Sequence, residues 1–266
     1  MKMTIGFIGL GNMAQAIIGG ILGKGIASEG TIIGYDNVMA ARNMVAEKYG
    51  LAIADNNQDV TKRADVVILA VKPQVIQGVI KEIAPAASED TLFISIAPGK
   101  SIEWLTESFG KKVKLVRCMP NTPALVGAGM TGYCINDEVT EEDKKAALDI
   151  LGSFGKAEEV PEHLMAAVTS VSGSSPAYVF ILIEAMADQA VADGMSRAQA
   201  YEFAAQAVYG SAKMVLDTGR HPAELKDMVC SPAGTTIEAV KILEQEGFRA
   251  AVQDAMEACT DKAGNM

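Results

Sequence analysis

The chain has 266 residues, of which 49% are hydrophobic and 21% are charged, and its formal net charge is −10. This length and composition predict one large domain or two ordinary ones and disfavour a disordered chain. The acidic charge repels phosphate backbones, so we expect no nucleic-acid partner.

The sequence carries no signal for export, for a membrane span or for a metal site. Its first residues run directly into a strand-like stretch, and no apolar run reaches the roughly 18–20 residues of a membrane span. The four cysteines form no CxxC motif, which is typical of a reducing compartment, and the two histidines lie in no metal-ligand spacing. We therefore predict a cytoplasmic protein with no membrane partner and no metal.

The first part of the chain alternates strand and helix patterns. Short apolar runs predict strands at 4–11, 31–36, 64–71, 91–99 and 113–120, with a further edge strand at 129–136. Apolar residues at helical spacing follow the first two strands, at 12–25 and 37–50. This alternation predicts the α/β class, with a doubly wound, mostly parallel sheet.

Strand patterns end near residue 160. Helical patterns follow at 162–194, with a Gly/Ser/Pro interruption at 172–176, at 196–219, and in two more stretches. We therefore predict two domains, 1–160 with the sheet and an all-α domain at 161–266. In the predicted helix at 177–193, residues 178–183 are apolar on every side, so this helix must be buried all round. We therefore predict a homo-oligomer; the alternative is burial inside one subunit.

A glycine motif joins the first strand to the first helix. Gly9, Gly11 and Ala14 form the pattern G-x-G-x-x-A, which lets the backbone approach a pyrophosphate at a helix N-terminus. The motif predicts a dinucleotide-binding Rossmann domain. Asp36 ends the next strand, where a carboxylate accepts from the ribose 2′-hydroxyl and favours NADH. Arg42 lies near enough to leave the choice between NADH and NADPH open.

Two more candidates follow later strands. Lys72 comes directly after the third strand, where it is either a structural lysine or faces the cofactor phosphates. Asn121, in "MPNTPA", offers a donor and an acceptor and is a candidate substrate contact. Because Pro120 and Pro123 stiffen this loop, the alternative is a rigid turn without a ligand.

Five stretches together resemble pyrroline-5-carboxylate reductases, from residue 4 to about residue 260: "GFIGLGNMAQAI", "AVKP", "RCMPNTPALVGAG", "SGSSPAY" and "HPAELKDMVCSPAGTTIEAVKILE". The resemblance implies hydride transfer from NADPH to 1-pyrroline-5-carboxylate, which gives L-proline in the last step of its biosynthesis. It also implies a homodimer through the helical domain and is consistent with a ring of dimers. The acid at Asp36 departs from the family and makes NADH more favourable.

The resemblance also implies which residues bind each ligand. The implied cofactor contacts are Gly9, Gly11, Asn12, Met13, Ala14, Asn57, Ala70, Lys72, Pro73 and Ala97. The implied substrate contacts are Ser231, Gly234, Thr235 and Thr236.

The stretch "SPAGTT", residues 231–236, also has the pattern of a helix start. Ser231 fits an N-cap and Pro232 fits the first helical position. We expect the N–H groups of Gly234, Thr235 and Thr236 to point outward and hold the substrate carboxylate. The Thr236 hydroxyl would bond the ring nitrogen, which makes it the candidate catalytic residue.

Two other functions are alternatives. β-Hydroxyacid dehydrogenases and ketopantoate-type reductases share the domain order but use a lysine in the helical domain. Residues 176–194 contain no lysine, and Lys213 has no obvious partner in sequence. A nucleotide-sensing scaffold with the same fold is the non-enzymatic alternative.

Overall fold

The computed structural model describes residues 3–266. It contains an eight-stranded sheet with the order β3-β2-β1-β4-β5-β6-β7-β8. Every neighbouring pair is parallel except β6 and β7, which are antiparallel. The strands are β1 Ile5–Ile8, β2 Ile32–Tyr35, β3 Ala52–Ile53, β4 Val66–Leu69, β5 Leu92–Ser95, β6 Lys114–Met119, β7 Gly129–Ile135 and β8 Gly155–Glu159.

Helices cover both faces of this sheet. They are α1 Asn12–Gly23, α2 Met39–Tyr49, α3 Asn57–Arg63, α4 Ile76–Ile83, α5 Ile102–Phe109 and α6 Glu141–Leu151. One apolar cluster packs α1, α2 and α6 against the sheet, and a second packs α3, α4 and α5 against it. The central strands β1, β4 and β5 are buried on both faces and are apolar throughout apart from Gly6 and Ser95. The predicted doubly wound, mostly parallel sheet is confirmed.

Two strands escaped prediction, and one was misplaced. β3 has only two residues, and β8 is the charged stretch "GKAEE", so neither carries an apolar run. The stretch predicted as an edge strand at 129–136 lies second from the edge, because β8 pairs with β7 in parallel. Apolar runs therefore did not predict β3 and β8, the two edge strands of the sheet.

After Glu159 the described chain is helical. A 3₁₀ turn at Glu162–Leu164 leads into α7 Met165–Val168, and a π-helical segment at Thr169–Gly173 precedes α8 Ser175–Ala192. This π segment replaces the interruption predicted at 172–176. The remaining helices are α9 Arg197–Thr218, α10 Pro222–Val229, α11 Thr235–Gln245 and α12 Phe248–Gly264.

Contacts divide the chain into two compact units. Residues up to Ser174, together with Cys259–Met266, form the sheet unit, and Ser175–Ala258 form the helical unit. The last turns of α12 thus belong to the sheet unit. The domain limits of 1–160 and 161–266 stay a prediction about how the chain is organised.

The apolar helix α8 is not covered by its own unit. Of its residues only Ala187 is buried, and Phe180 and Ile181 are 62% and 66% exposed. The helical stretch Glu162–Ala192 is also long and apolar enough to cross a membrane by length and composition alone. We predicted no membrane span from the sequence, because Glu184 and Asp188 interrupt the longest apolar run, at 177–192. An uncovered helix of this kind needs a partner surface.

Candidate active site

The glycine loop after β1 brings the ends of three strands together. Gly9 has a φ of +92°, and its N–H donates to the Tyr35 carbonyl at 2.8 Å. A side chain at this position would come within 2.7 Å of the Ala70 carbonyl oxygen. Only glycine therefore allows the loop to pass between the ends of β2 and β4.

The start of α1 is open. Gly11 is its N-cap in an extended conformation, and no side chain caps the helix. A Cβ on Gly11 would find no atom of the chain within 4 Å. The first-turn N–H groups of Asn12, Met13 and Ala14 have no partner within the helix, which is the arrangement that binds a pyrophosphate.

Asp36, at the end of β2, is tied to the glycine loop. Its Oδ2 accepts from the Leu10 N–H at 2.8 Å, and its Oδ1 accepts from the Val38 N–H at 2.8 Å. Arg42 donates from Nη1 to the Asp36 carbonyl at 2.6 Å and lies over the Tyr35 ring at 5.3 Å. The bond to Val38 is an Asx-turn that the sequence could have suggested, whereas the bond to Leu10 spans 26 residues.

The other predicted cofactor residues follow β4 and β5. Ala70 donates its N–H to the Ile8 carbonyl at 2.8 Å, and the Lys72 carbonyl accepts from the Val75 N–H in the turn toward α4. Ala97 is buried two residues after β5. These residues lie at the carboxyl edge of the sheet, where dinucleotides bind in this fold. The chain therefore brings most of its predicted cofactor residues to one crevice.

Asn57 is the exception among them. It is 5% exposed, and its Nδ2 donates to Glu82 Oε2 at 2.9 Å. Its carbonyl accepts from the Thr61 hydroxyl at 2.9 Å. Asn57 therefore serves the packing of α3 against α4, and this geometry gives no support to a cofactor contact through its side chain.

The Asn121 side chain is used in hydrogen bonds to two other segments of the chain. It is 7% exposed, its Oδ1 accepts from the Met130 N–H at 2.8 Å, and its Nδ2 donates to the Ser172 carbonyl at 3.0 Å. The side chain thus fixes the loop after β6 to β7 and to the π segment. The predicted substrate contact at Asn121 is not supported by this geometry, and the rigid-turn alternative fits it. Sequence reasoning missed Ser172, which lies 51 residues away and acts through its backbone.

Two cysteines lie in the strands that flank this loop. Burial raises the pKa of Cys118 well above its ordinary value. Burial, helped by the charge of Glu162, raises the pKa of Cys134 to about 11. Both thiols stay protonated at neutral pH, so neither acts as a thiolate nucleophile. Among the described residues, no three His, Cys, Asp or Glu side chains gather to hold a metal ion.

The stretch 231–236 folds differently from its prediction. α11 begins at Thr235, and its N-cap is Gly234, not Ser231. The Gly234 N–H donates to the Ser231 carbonyl at 3.0 Å, and Ala233 has a φ of +58°. With Pro232 in second place, this is the pattern of a type II turn. The predicted cap was wrong because proline followed by a residue at positive φ closes a turn before the helix can start.

This turn leaves a helix start that is open in the same way as α1. No side chain caps α11, and Thr235 and Thr236 are its first two residues. Their N–H groups have no partner within the helix, whereas the Gly234 N–H is used inside the turn. A Cβ on Gly234 would overlap the Ser231 hydroxyl, so glycine permits this close approach. Ser231, Gly234, Thr235 and Thr236 therefore do lie together, in the helical unit.

Comparisons with known proteins decide the family. The family description "Pyrroline-5-carboxylate reductase dimerisation" matches residues 162–266, and "NADP oxidoreductase coenzyme F420-dependent" matches residues 4–99. Pyrroline-5-carboxylate reductase of Escherichia coli is 51% identical over 99% of this chain and 98% of its own length. The enzyme of Methanosarcina acetivorans is 42% identical over 98% of this chain and 97% of its own length.

The chain belongs to the pyrroline-5-carboxylate reductase family.

Solved structures of the family agree with this. The Coxiella burnetii reductase has a TM-score of 0.92 and 34% identity, over 100% of this chain and 98% of that chain. The Plasmodium falciparum reductase, solved with NADP bound, has a TM-score of 0.91 and 34% identity, over 100% of this chain and 98% of that chain. The resemblance, the fold class, the enzyme class and the NAD(P)H dependence predicted from the sequence are confirmed.

The rival dehydrogenase class matches in fold only. A 3-hydroxyisobutyrate dehydrogenase of Mycobacterium tuberculosis has a TM-score of 0.53 and 19% identity, over 100% of this chain and 92% of that chain. At that identity only the shared fold follows.

Proposed function

We propose that this chain reduces 1-pyrroline-5-carboxylate to L-proline with NAD(P)H, the last step of proline biosynthesis. The observation that carries the proposal is the open glycine loop Gly9–Gly11, at the carboxyl edge of the sheet, in a chain that matches the family over its full length. The uncapped first turn of α1 supplies the backbone donors that a dinucleotide pyrophosphate needs.

Each cofactor residue has a role in this proposal. Gly9 and Gly11 admit the pyrophosphate to the start of α1, and Asn12, Met13 and Ala14 donate their N–H groups to it. Asp36 faces the ribose. Ala70, Lys72, Pro73 and Ala97 line the crevice beyond. The bound nicotinamide supplies the hydride.

The helical unit holds the substrate. The N–H groups of Thr235 and Thr236 and the Ser231 hydroxyl bind the substrate carboxylate, which the partial positive charge of the α11 N-terminus favours. This local attraction matters because the net charge of −10 repels anions at longer range. Gly234 keeps the turn tight. Asn121 contributes indirectly by holding the loop after β6.

Thr236 is the proposed catalytic residue. Its hydroxyl hydrogen-bonds the ring nitrogen and orients the imine for hydride attack at the adjacent carbon. A protonated imine accepts hydride readily, so the reaction needs orientation more than a strong acid. This agrees with the buried, protonated thiols of Cys118 and Cys134.

The assembly and the location complete the proposal. The match to a dimerisation domain and the exposed apolar residues of α8 support a homodimer through the helices, without a membrane partner. We extend this to a ring of dimers. All four cysteines are free, which supports a cytoplasmic location.

One assay tests the activity. Purified protein is mixed with NADH or NADPH and 1-pyrroline-5-carboxylate, and the loss of nicotinamide absorbance is followed. Turnover with either cofactor is expected. No turnover with either contradicts the proposal, and turnover of a 2-hydroxyacid or of ketopantoate in its place favours the rival class.

A variant series tests Thr236. Thr236→Ala removes the hydroxyl but keeps the N–H, so kcat/KM is expected to fall by about 10²-fold. Thr236→Ser restores the hydroxyl and most of the rate. Ser211→Ala, which removes an exposed hydroxyl from α9, is the control. Unchanged kinetics in Thr236→Ala would remove the residue from the mechanism.

A further inference from the structure

The Asp36 carboxylate is held in place from two sides. One oxygen accepts from the Leu10 N–H and the other from the Val38 N–H, each at 2.8 Å. Leu10 is buried in the glycine loop, and Val38 is the N-cap of α2. Neither donor can move without disturbing an element of the fold, so the carboxylate has no freedom to swing away from the crevice.

We propose that Asp36 makes this enzyme bind NADH in preference to NADPH and that Arg42 is a latent ligand for a 2′-phosphate. The inference rests on the proposed function, because it assumes that the crevice holds the cofactor. It concerns only which of the two nicotinamide cofactors the site accepts.

The preference for NADH follows from the negative charge of the Asp36 carboxylate and from its fixed position. Each carboxylate oxygen uses one lone pair on a backbone N–H and keeps another for a ribose hydroxyl. A 2′-phosphate would bring two negative groups together at a fixed distance, and such like-charge contacts are strongly unfavourable. A movable carboxylate could turn away from the phosphate, but this one cannot.

Arg42 places a positive charge next to Asp36, at the end of β2. Its Nη1 donates to the Asp36 carbonyl at 2.6 Å, and its guanidinium lies over the Tyr35 ring at 5.3 Å. The first contact uses the backbone carbonyl of Asp36 and the second uses the ring of Tyr35, so both survive replacement of the Asp36 side chain. The guanidinium has further N–H groups that suit a phosphate.

Equilibrium binding of NADH and NADPH to the apoenzyme tests the inference, without turnover. In the natural protein NADH is expected to bind at least about tenfold more tightly than NADPH. Asp36→Ser is expected to reverse this order by raising the affinity for NADPH about tenfold or more. The double variant Asp36→Ser/Arg42→Ala is expected to lose that gain and to leave the affinity for NADH close to that of Asp36→Ser.

A second variant of Asp36 distinguishes the loss of its charge from a disturbed fold. Asp36→Asn removes the charge while it keeps an acceptor for one backbone N–H, and thermal unfolding of each variant reports on the loop. The inference is overturned by tighter binding of NADPH to the natural protein, or by an unchanged NADH-to-NADPH ratio in folded variants of Asp36. A gain in NADPH affinity that persists without Arg42 overturns the second part. Binding of neither nucleotide contradicts the proposed function itself, whereas equal binding of both contradicts only this inference.

Discussion

The two helix starts to which we assign ligands, α1 and α11, are similar in their caps and differ in the turns that precede them. Each has glycine as its N-cap and no capping side chain, so its first N–H groups stay open. By contrast, α3, α5 and α6 are capped by the side chains of Asn56, Ser101 and Thr140. Both helix starts that we assign to ligands therefore combine a glycine N-cap with the absence of a capping side chain.

The two starts differ in how the preceding turn is made. The loop before α1 places glycine at positive φ and is braced by the Asp36 carboxylate and by the Tyr35 carbonyl. The turn before α11 places Ala233 at positive φ, the only described residue other than glycine with such a value. An alanine in this region costs about 1 kcal/mol. The glycine loop before α1 is therefore free of strain and held by hydrogen bonds, whereas the turn before α11 is strained at Ala233.

The largest expected effect comes from a substitution that disrupts the glycine loop before α1. Gly9→Ala forces a side chain against the Ala70 carbonyl at positive φ, so we expect it to lower the free energy of unfolding by about 3 kcal/mol or more. Gly11→Ala is the matched control, because its methyl group meets no atom of the chain. That variant is expected to fold normally and to bind NAD(P)H at least about tenfold less tightly. Chemical denaturation and cofactor titration separate the two, and equal stability of both variants would contradict this account.

A change at the substrate turn should affect the other ligand. Gly234→Ala places a methyl group on the Ser231 hydroxyl and should raise the KM for 1-pyrroline-5-carboxylate by about tenfold. The dissociation constant of NAD(P)H should not change. Because the Ser231 hydroxyl is itself a proposed substrate contact, the double variant with Ser231→Ala is compared with Ser231→Ala alone, and an equal KM in the two would show that steric contact with that hydroxyl is the cause. A changed affinity for cofactor with an unchanged KM for substrate would show that the two starts have the opposite roles.

The third prediction is a smaller, pH-dependent loss of stability on replacing Asp143, in the capping box of α6. Burial alone would raise the pKa of Asp143, but hydrogen bonds from Thr140 and Lys114 outweigh it and hold that pKa below its ordinary value. The stability from this carboxylate is therefore complete above the ordinary pKa of an aspartate and is lost as the pH falls through the lowered one. Asp143→Asn should cost about 1 kcal/mol at neutral pH. The cost should shrink in acid, as denaturation at both pH values would show; a cost independent of pH would contradict the linkage.

The smallest expected effect comes from a substitution that removes the strain at Ala233, in the turn before α11. Ala233→Gly should raise the free energy of unfolding of the helical unit by up to about 1 kcal/mol, because glycine adopts positive φ without strain. Ala212→Gly, in the interior of α9, is the control and should lower it by about 0.5–1 kcal/mol. Thermal unfolding compares the two. A loss of stability in Ala233→Gly would mean that the turn is not strained.

The sequence by itself determined the features that depend on neighbouring residues. Apolar runs located β1, β2 and β4 to β7, and the glycine spacing of 9, 11 and 14 located the dinucleotide loop. The quoted motifs were sufficient to predict the family. The positive φ of Ala233 also has a local cause, since Pro232 precedes it, but the helix-cap pattern of Ser231 obscured that cause.

Only the tertiary structure decided which polar groups are already used. Asp36 meets Leu10 across 26 residues, and Asn121 meets Ser172 across 51. It also decided that β8 covers β7 and that α8 is left uncovered by its own unit. These contacts depend on how distant segments pack, and local propensity and periodicity carry no information about them. The residue types at the site could therefore be predicted, whereas their availability to a ligand could not.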